Sequence, residues 1–114
     1  MTSQKTLREL RDDWDWNEAF GRSGKASNPI TREVEERQYK TGDVVEIVAI
    51  SVGENDERPW VGLFLMDDGR YLFVDAWCDY TGWDCQSGGS AEWFRTKEEA
   101  VACISAEARE RLGL

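Results

Sequence analysis

The sequence predicts an α+β domain: a three- to four-stranded antiparallel meander with an N-terminal and a C-terminal helix. Three observations carry that reading. Runs rich in β-branched and aromatic residues, separated by turn signals, fill residues 43–78. Asp67-Asp68-Gly69 is a hairpin signal between two of those runs. Apolar residues recur at helical spacing near both ends of the chain. A length of 114 residues fits one domain, and a domain of this size buries roughly 60–70% of its unfolded surface, enough to fold without staples.

The first helix is expected over residues 4–20, with Thr2 or Ser3 as its cap. Leu7, Leu10 and Trp14 form one narrow stripe, and Trp16 and Phe20 a second line displaced around the helix. Two lines either pack down together or leave one for a partner. Residues 21–30, GRSGKASNPI, read as a linker, which would make residues 1–20 a loosely attached arm. Charge density in 31–40 favours helix, while Val34 and Tyr39 suit an edge strand, so 21–42 stays a linker of undecided structure. The body is then 43–114.

In that body Val44–Val52 is a strand dense in β-branched residues. Gly53–Glu57 breaks it. Pro59–Met66 has apolar residues on both faces and reads as the covered central strand. A third strand runs from Tyr71 to Cys78. With a two-residue Asp68-Gly69 turn, Asp67 faces Arg70, Phe64 faces Phe73 and Trp60 faces Trp77; a three-residue turn would shift every pair. Alternation puts Tyr71, Phe73, Asp75 and Trp77 on one side and Leu72, Val74, Ala76 and Cys78 on the other. The aliphatic side is expected beneath the C-terminal helix, and Asp75 is expected among aromatic rings, either exposed to solvent or held by a donor such as an indole N–H. Gly88-Gly89 reads as a breaker before a short fourth strand, Glu92–Arg95.

Thr96 and Glu99 have capping-box spacing. Val101, Ile104, Ala108 and Leu112 then form a helical face, which Ser105 could split into two helices. Helices are expected on one face of the sheet, with Cys103 as a small buried hydrophobe.

The net charge is −9, and it is unevenly placed. Residues 1–42 hold 8 Lys/Arg and 8 Asp/Glu, whereas 43–114 hold 6 against 15. An acidic body repels phosphate backbones, so direct nucleic-acid binding is not expected. A basic protein surface, or a metal cation, is the partner that the charge allows, although the same acidity would also serve solubility. Three cysteines cannot all pair within one chain, and the first residues lack the apolar run of a signal peptide or membrane span. The expected setting is a reducing cytoplasm.

The stretch with the densest chemistry is Tyr71–Glu92, which holds Cys78 and Cys85 around an aromatic, acidic turn. Six residues separate the two cysteines and the chain has no His, so the spacing departs from that of zinc sites. Nor do Asp75, Asp79 and Asp84 alternate as calcium-loop ligands do. A Cys78–Cys85 disulfide would close a short loop and contribute about 2.5 kcal/mol, against the expected redox setting. Asp79 and Asp84 would raise a thiol pKa where a thiol enzyme needs it lowered, and Gly88-Gly89 lacks the Lys and helix of a phosphate loop. No catalytic residue and no cofactor is therefore assigned. Recognition remains, with Asp75, Asp79, Tyr80, Trp83 and Asp84 as the expected partner-binding surface, because rigid aromatics at turn tips carry much of the energy of interfaces. Tyr80 and Trp83 could instead fold back over the sheet. The segments FVDAWCDYTGWDCQSGGSA and WDWNEAFG resemble a motif of small, uncharacterised acidic proteins of actinobacteria and their phages. That resemblance implies no activity, but it favours an inhibitor that occupies a basic, nucleic-acid-binding groove. The expected function is thus a small acidic, non-enzymatic interaction domain, with a metal-stabilised module or a small hydrolase or thiol enzyme as alternatives.

Overall fold

The computed structural model describes residues 5–114. Thr2 and Ser3, and with them any cap they form, lie outside the described residues, as does the side chain of Cys85 and hence its pairing with Cys78.

The N-terminal helical segment is broken once. α1 spans Leu7–Asp12 and α2 spans Trp14–Ser23. Thr6 and Glu9 close a reciprocal capping box on α1. Asp13 ends that helix in extended geometry and caps the next by accepting from the Trp16 amide at 3.0 Å. The break resolves the two aromatic lines: Leu10, Trp16 and Phe20 turn inward, while Trp14 is exposed. This segment is no arm, because Trp16 is fully buried and α2 lies against the third and fourth strands.

Among the described residues four strands form one antiparallel sheet in chain order: β1 Val44–Ser51, β2 Trp60–Met66, β3 Tyr71–Asp79 and β4 Gly82–Phe94. The meander and the central place of β2, buried on both faces but for Leu65, follow the expectation. The register between β2 and β3 does not. Met66 N donates to Arg70 O and Gly69 N to Met66 O, so the turn has three residues, with Gly69 at φ +85°. One residue of slip moves every facing side chain. Leu63 therefore pairs with Phe73 and Trp60 with Ala76, and the expected Phe64–Phe73 and Trp60–Trp77 contacts do not form.

Helices cover both faces rather than one. Leu72, Val74, Ala76 and Cys78 join Trp60, Phe64, Trp93 and the N-terminal helices in the larger core. Phe73, Leu63 and Phe94 pack beneath α3 (Lys97–Cys103) and α4 (Ala106–Leu112) through Ala100, Ile104, Ala108 and Leu112. The alternation along β3 is as expected, but the aliphatic side faces α2 and the Phe73 side faces the C-terminal helices. Thr96 caps α3, and Ser105 caps α4 and splits the segment. Cys103 points outward and is exposed, against expectation.

Residues 24–40 are fixed to the sheet without being helix or strand. Ser27 bridges β4 in parallel, donating to Ala91 O and accepting from Trp93 N, and so covers part of that edge. The Trp93 indole donates to Glu33 O, and the Arg70 guanidinium lies over its ring while pairing with Glu35. Arg37 forks onto Asp67 and Asp68, and the Tyr39 hydroxyl donates to Asp68. Burial works against the Asp68 carboxylate, yet the bonds from Tyr39 and the Arg70 amide hold its pKa below the usual value. Burial first, and then the bond to Asp68, push Tyr39 up to about 12. The linker is thus tied to the same β2–β3 turn whose length sets the sheet register.

Candidate functional site

The stretch expected to be a loop between two cysteines is the tip of a hairpin. β4 begins at Gly82 instead of Glu92, and Gly88-Gly89 lies within the strand rather than breaking it. Asp79 pairs with Gly82 across Tyr80-Thr81, whereas Cys78 pairs with Ser87, so residues 83–86 bulge from the ladder. The Ser87 hydroxyl donates to Trp83 O at 2.8 Å and closes that bulge. Asp79 accepts from the Thr81 amide at 2.9 Å and from its hydroxyl, which fixes the turn.

The five expected surface residues separate. Trp83 is buried: its ring lies 5.0 Å from that of Trp60, and its indole N–H donates to Asp15 Oδ1 at 3.0 Å. The bulge turns Trp83 back onto α2, so it presents nothing to a partner. Tyr80 stays at the tip, 78% exposed. Asp84 is exposed, 3.7 Å from Arg22 of α2. Asp75 is half-buried on the face of the C-terminal helices, where it lines a small hollow of about 130 Å³ with Glu107 and Arg111. Among the described residues no indole N–H donates to it; burial pushes its pKa above the usual carboxylate value, with Arg111 opposing and Glu107 adding to the rise.

Trp77 takes the place that Trp83 was expected to fill. It shares the face of Phe73 and Asp75 and is 47% exposed. A Cβ on Gly88 would meet three indole atoms at 3.1–3.2 Å, so the ring packs closely on the glycine. Beside it is a hollow of about 250 Å³ lined by Asp56, Glu57, Pro59, Trp77, Asp79 and Gln86, together with Arg58 and Cys78. Its far wall is the turn after β1. Glu54 and Arg58 exchange backbone hydrogen bonds there, Asp56 takes φ +61°, and the Asp56 amide donates to Cys78 O at 2.8 Å. The turn is thereby clipped to the end of β3, which brings Asp56 and Glu57 opposite Asp79.

Three carboxylates and one guanidinium line this hollow, and Arg58 is turned toward Glu54 (3.8 Å) and the Val52 carbonyl (3.4 Å). The Cys78 thiol is buried and donates to Asn55 Oδ1 at 3.2 Å. Burial, then Asp15 and Asp79, push its pKa up, the opposite of what a thiolate nucleophile needs. Among the described residues no group of three or more His, Cys, Asp or Glu is placed to hold a metal ion, and no helix is long and apolar enough to cross a membrane. Residue types alone could not single out Trp77, Asp56 and Glu57, because their meeting depends on the β2–β3 register and on a turn 20 residues upstream. The one signal was Gly88, which leaves an opening on whichever tryptophan lies across from it. No family model matches the chain, and no curated protein or solved structure matches it.

Proposed function

We propose that this protein is a small acidic, non-enzymatic interaction domain that binds a basic protein surface through the tip of the β3–β4 hairpin. The observation that carries the reading is the pair of exposed aromatics, Trp77 and Tyr80, next to the carboxylates of Asp56, Glu57 and Asp79. Aromatic anchors supply most of the energy at interfaces, and surrounding charge of one sign steers an oppositely charged partner and sets the salt dependence. The net −9 of the chain acts in the same direction at longer range. A sharper form follows from the family resemblance: the domain would occupy a nucleic-acid-binding groove of a host protein as an inhibitor, with its carboxylates standing for phosphates.

The test is titration with a lysine-rich peptide, read by calorimetry at low and physiological salt. Binding that weakens with salt, and falls by about thirty-fold or more in a Trp77→Ala/Tyr80→Ala double variant, supports the reading. Binding of equal strength in the folded double variant removes this surface from it. The inhibitor form further requires that nucleic acid and the domain compete for one captured basic protein.

A further inference from the structure

We infer that the hollow beside Trp77 receives one lysine or arginine side chain of the partner, with the cation held over the indole and met by Asp56, Glu57 and Asp79. This inference rests on the interaction-domain reading and narrows it to a residue. Size is the first argument. At about 250 Å³ the hollow falls below the roughly 300–1,000 Å³ of sites for drug-sized ligands, and suits a single long side chain. Its walls suit such a chain as well, since Pro59 and the indole offer apolar surface to an alkyl stem and the carboxylates of Asp56, Glu57 and Asp79 line the same hollow.

The second argument comes from the chain itself, which builds the same recognition unit twice for its own arginines. Arg70 lies 4.1 Å above the Trp93 ring and pairs with Glu35. Arg37 lies 4.7 Å above the Tyr39 ring and pairs with Asp67 and Asp68. Each unit consists of an aromatic face, a cation and one or two carboxylates. At Trp77 the ring and the carboxylates recur, with the indole packed against Gly88. The cation at the rim, Arg58, is turned to Glu54 and the Val52 carbonyl. What completes the unit must come from outside.

The experiment is a heteronuclear NMR titration of the whole chain with the N-acetyl methylamides of lysine, arginine and norleucine, reading the Trp77 indole N–H and the amides of Asp56, Glu57 and Asp79. Saturable shifts with the two cationic probes and not with norleucine are expected. Trp77→Leu should weaken them about five-fold, and Asp56→Asn/Glu57→Gln, on an exposed turn, should weaken them without touching the core. Equal shifts with norleucine, unchanged affinity in both folded variants, or the same shifts produced by calcium chloride alone would overturn the inference. A lysine-rich peptide separates the two levels. If it binds the wild type and Trp77→Leu alike, the single-residue pocket fails while the acidic surface stands; if it does not bind at all, both fail.

Discussion

Truncating Trp83 decides whether the hairpin tip is a presented loop or a structural clamp. In the structure the side chain is 4% exposed, touches the Trp60 ring at a centroid distance of 5.0 Å and donates to Asp15 at 3.0 Å. Removing a buried tryptophan to alanine costs about 3–5 kcal/mol, a large part of the roughly 5–15 kcal/mol that stabilises a domain. The ring pair accounts for about 0.5–1.5 kcal/mol of that. The bond to a carboxylate adds about 1.5 kcal/mol, taken at the low end because Asp15 is partly exposed. Trp83→Phe, which keeps a ring and loses the donor, should therefore cost about 1–2 kcal/mol. A double-mutant cycle with Asp15→Ala should show coupling of about 1 kcal/mol. Urea denaturation followed by far-UV circular dichroism measures all of these, and avoids the overlapping emission of six tryptophans. A loss below about 1 kcal/mol for Trp83→Ala, as for an exposed turn residue, would refute the clamp. So would a coupling of zero. Peptide binding by the folded Trp83→Phe variant should stay at the wild-type level, because the ring faces inward.

Three further outcomes follow from other parts of the fold. The carboxyls of Asp75 and Glu92 both have raised pKa values, from burial first and then from Glu107 for Asp75 and from Asp75 for Glu92. The native state thus binds more protons than the unfolded state between the ordinary and the raised values, so these two groups lower stability as pH rises through that window. Asp75→Asn should flatten that fall, read as Tm against pH from 4 upward, and an unchanged profile would contradict the assignment. A Cβ at Gly89 would lie 2.8 Å from the Ala76 Cβ and 3.0 Å from both Asp75 O and Ser23 Oγ, so Gly89→Ala should destabilise by about 1–3 kcal/mol in the same urea assay; a neutral result would contradict the close approach of β3 and α2 to this glycine. Iodoacetamide should label exposed Cys103 well before buried Cys78, which peptide mass mapping over a time course will show, and the reverse order would contradict the placement of both thiols.

The elements of the fold were legible because each is set by local chemistry. Dense β-branched runs, Thr96 and Ser105 as caps, and the apolar face at Ile104, Ala108 and Leu112 need no knowledge of the rest of the chain. What failed depended on distances along the chain that no local pattern encodes. Asp67-Asp68-Gly69 supports a two- or a three-residue turn with nearly the same residues, and the choice reverses the faces of β2 and β3 relative to each other. Tyr39 and Arg37, some 30 residues upstream, are bonded to that turn, and their segment carried no pattern of its own. Asp13 was read as one more helix residue, when its side chain is also a cap that starts a new helix with Trp16 turned inward. Of the expected surface, Asp79, Tyr80 and Asp84 do lie at the hairpin tip, while Trp83 is covered by a bulge whose only local sign is a serine four residues on.

The Gly88-Gly89 pair shows why Trp83 is buried and Trp77 exposed. Neighbours in a strand face opposite sides of the sheet, so the two missing Cβ atoms open space in opposite directions. Gly89 opens the inner side, where Ser23 at the end of α2 comes within contact of the backbone and the helix can seat. With α2 seated, Asp15 stands where the Trp83 indole can reach it, and that ring is drawn into the core. Gly88 opens the outer side, and there Trp77 packs on the glycine and stays 47% exposed. A Cβ at position 88 would press on the indole and make it shift by a few tenths of an ångström. A single dipeptide thus fixes one tryptophan as a clamp and leaves the other as a platform, beside the carboxylates that would draw a cation onto it.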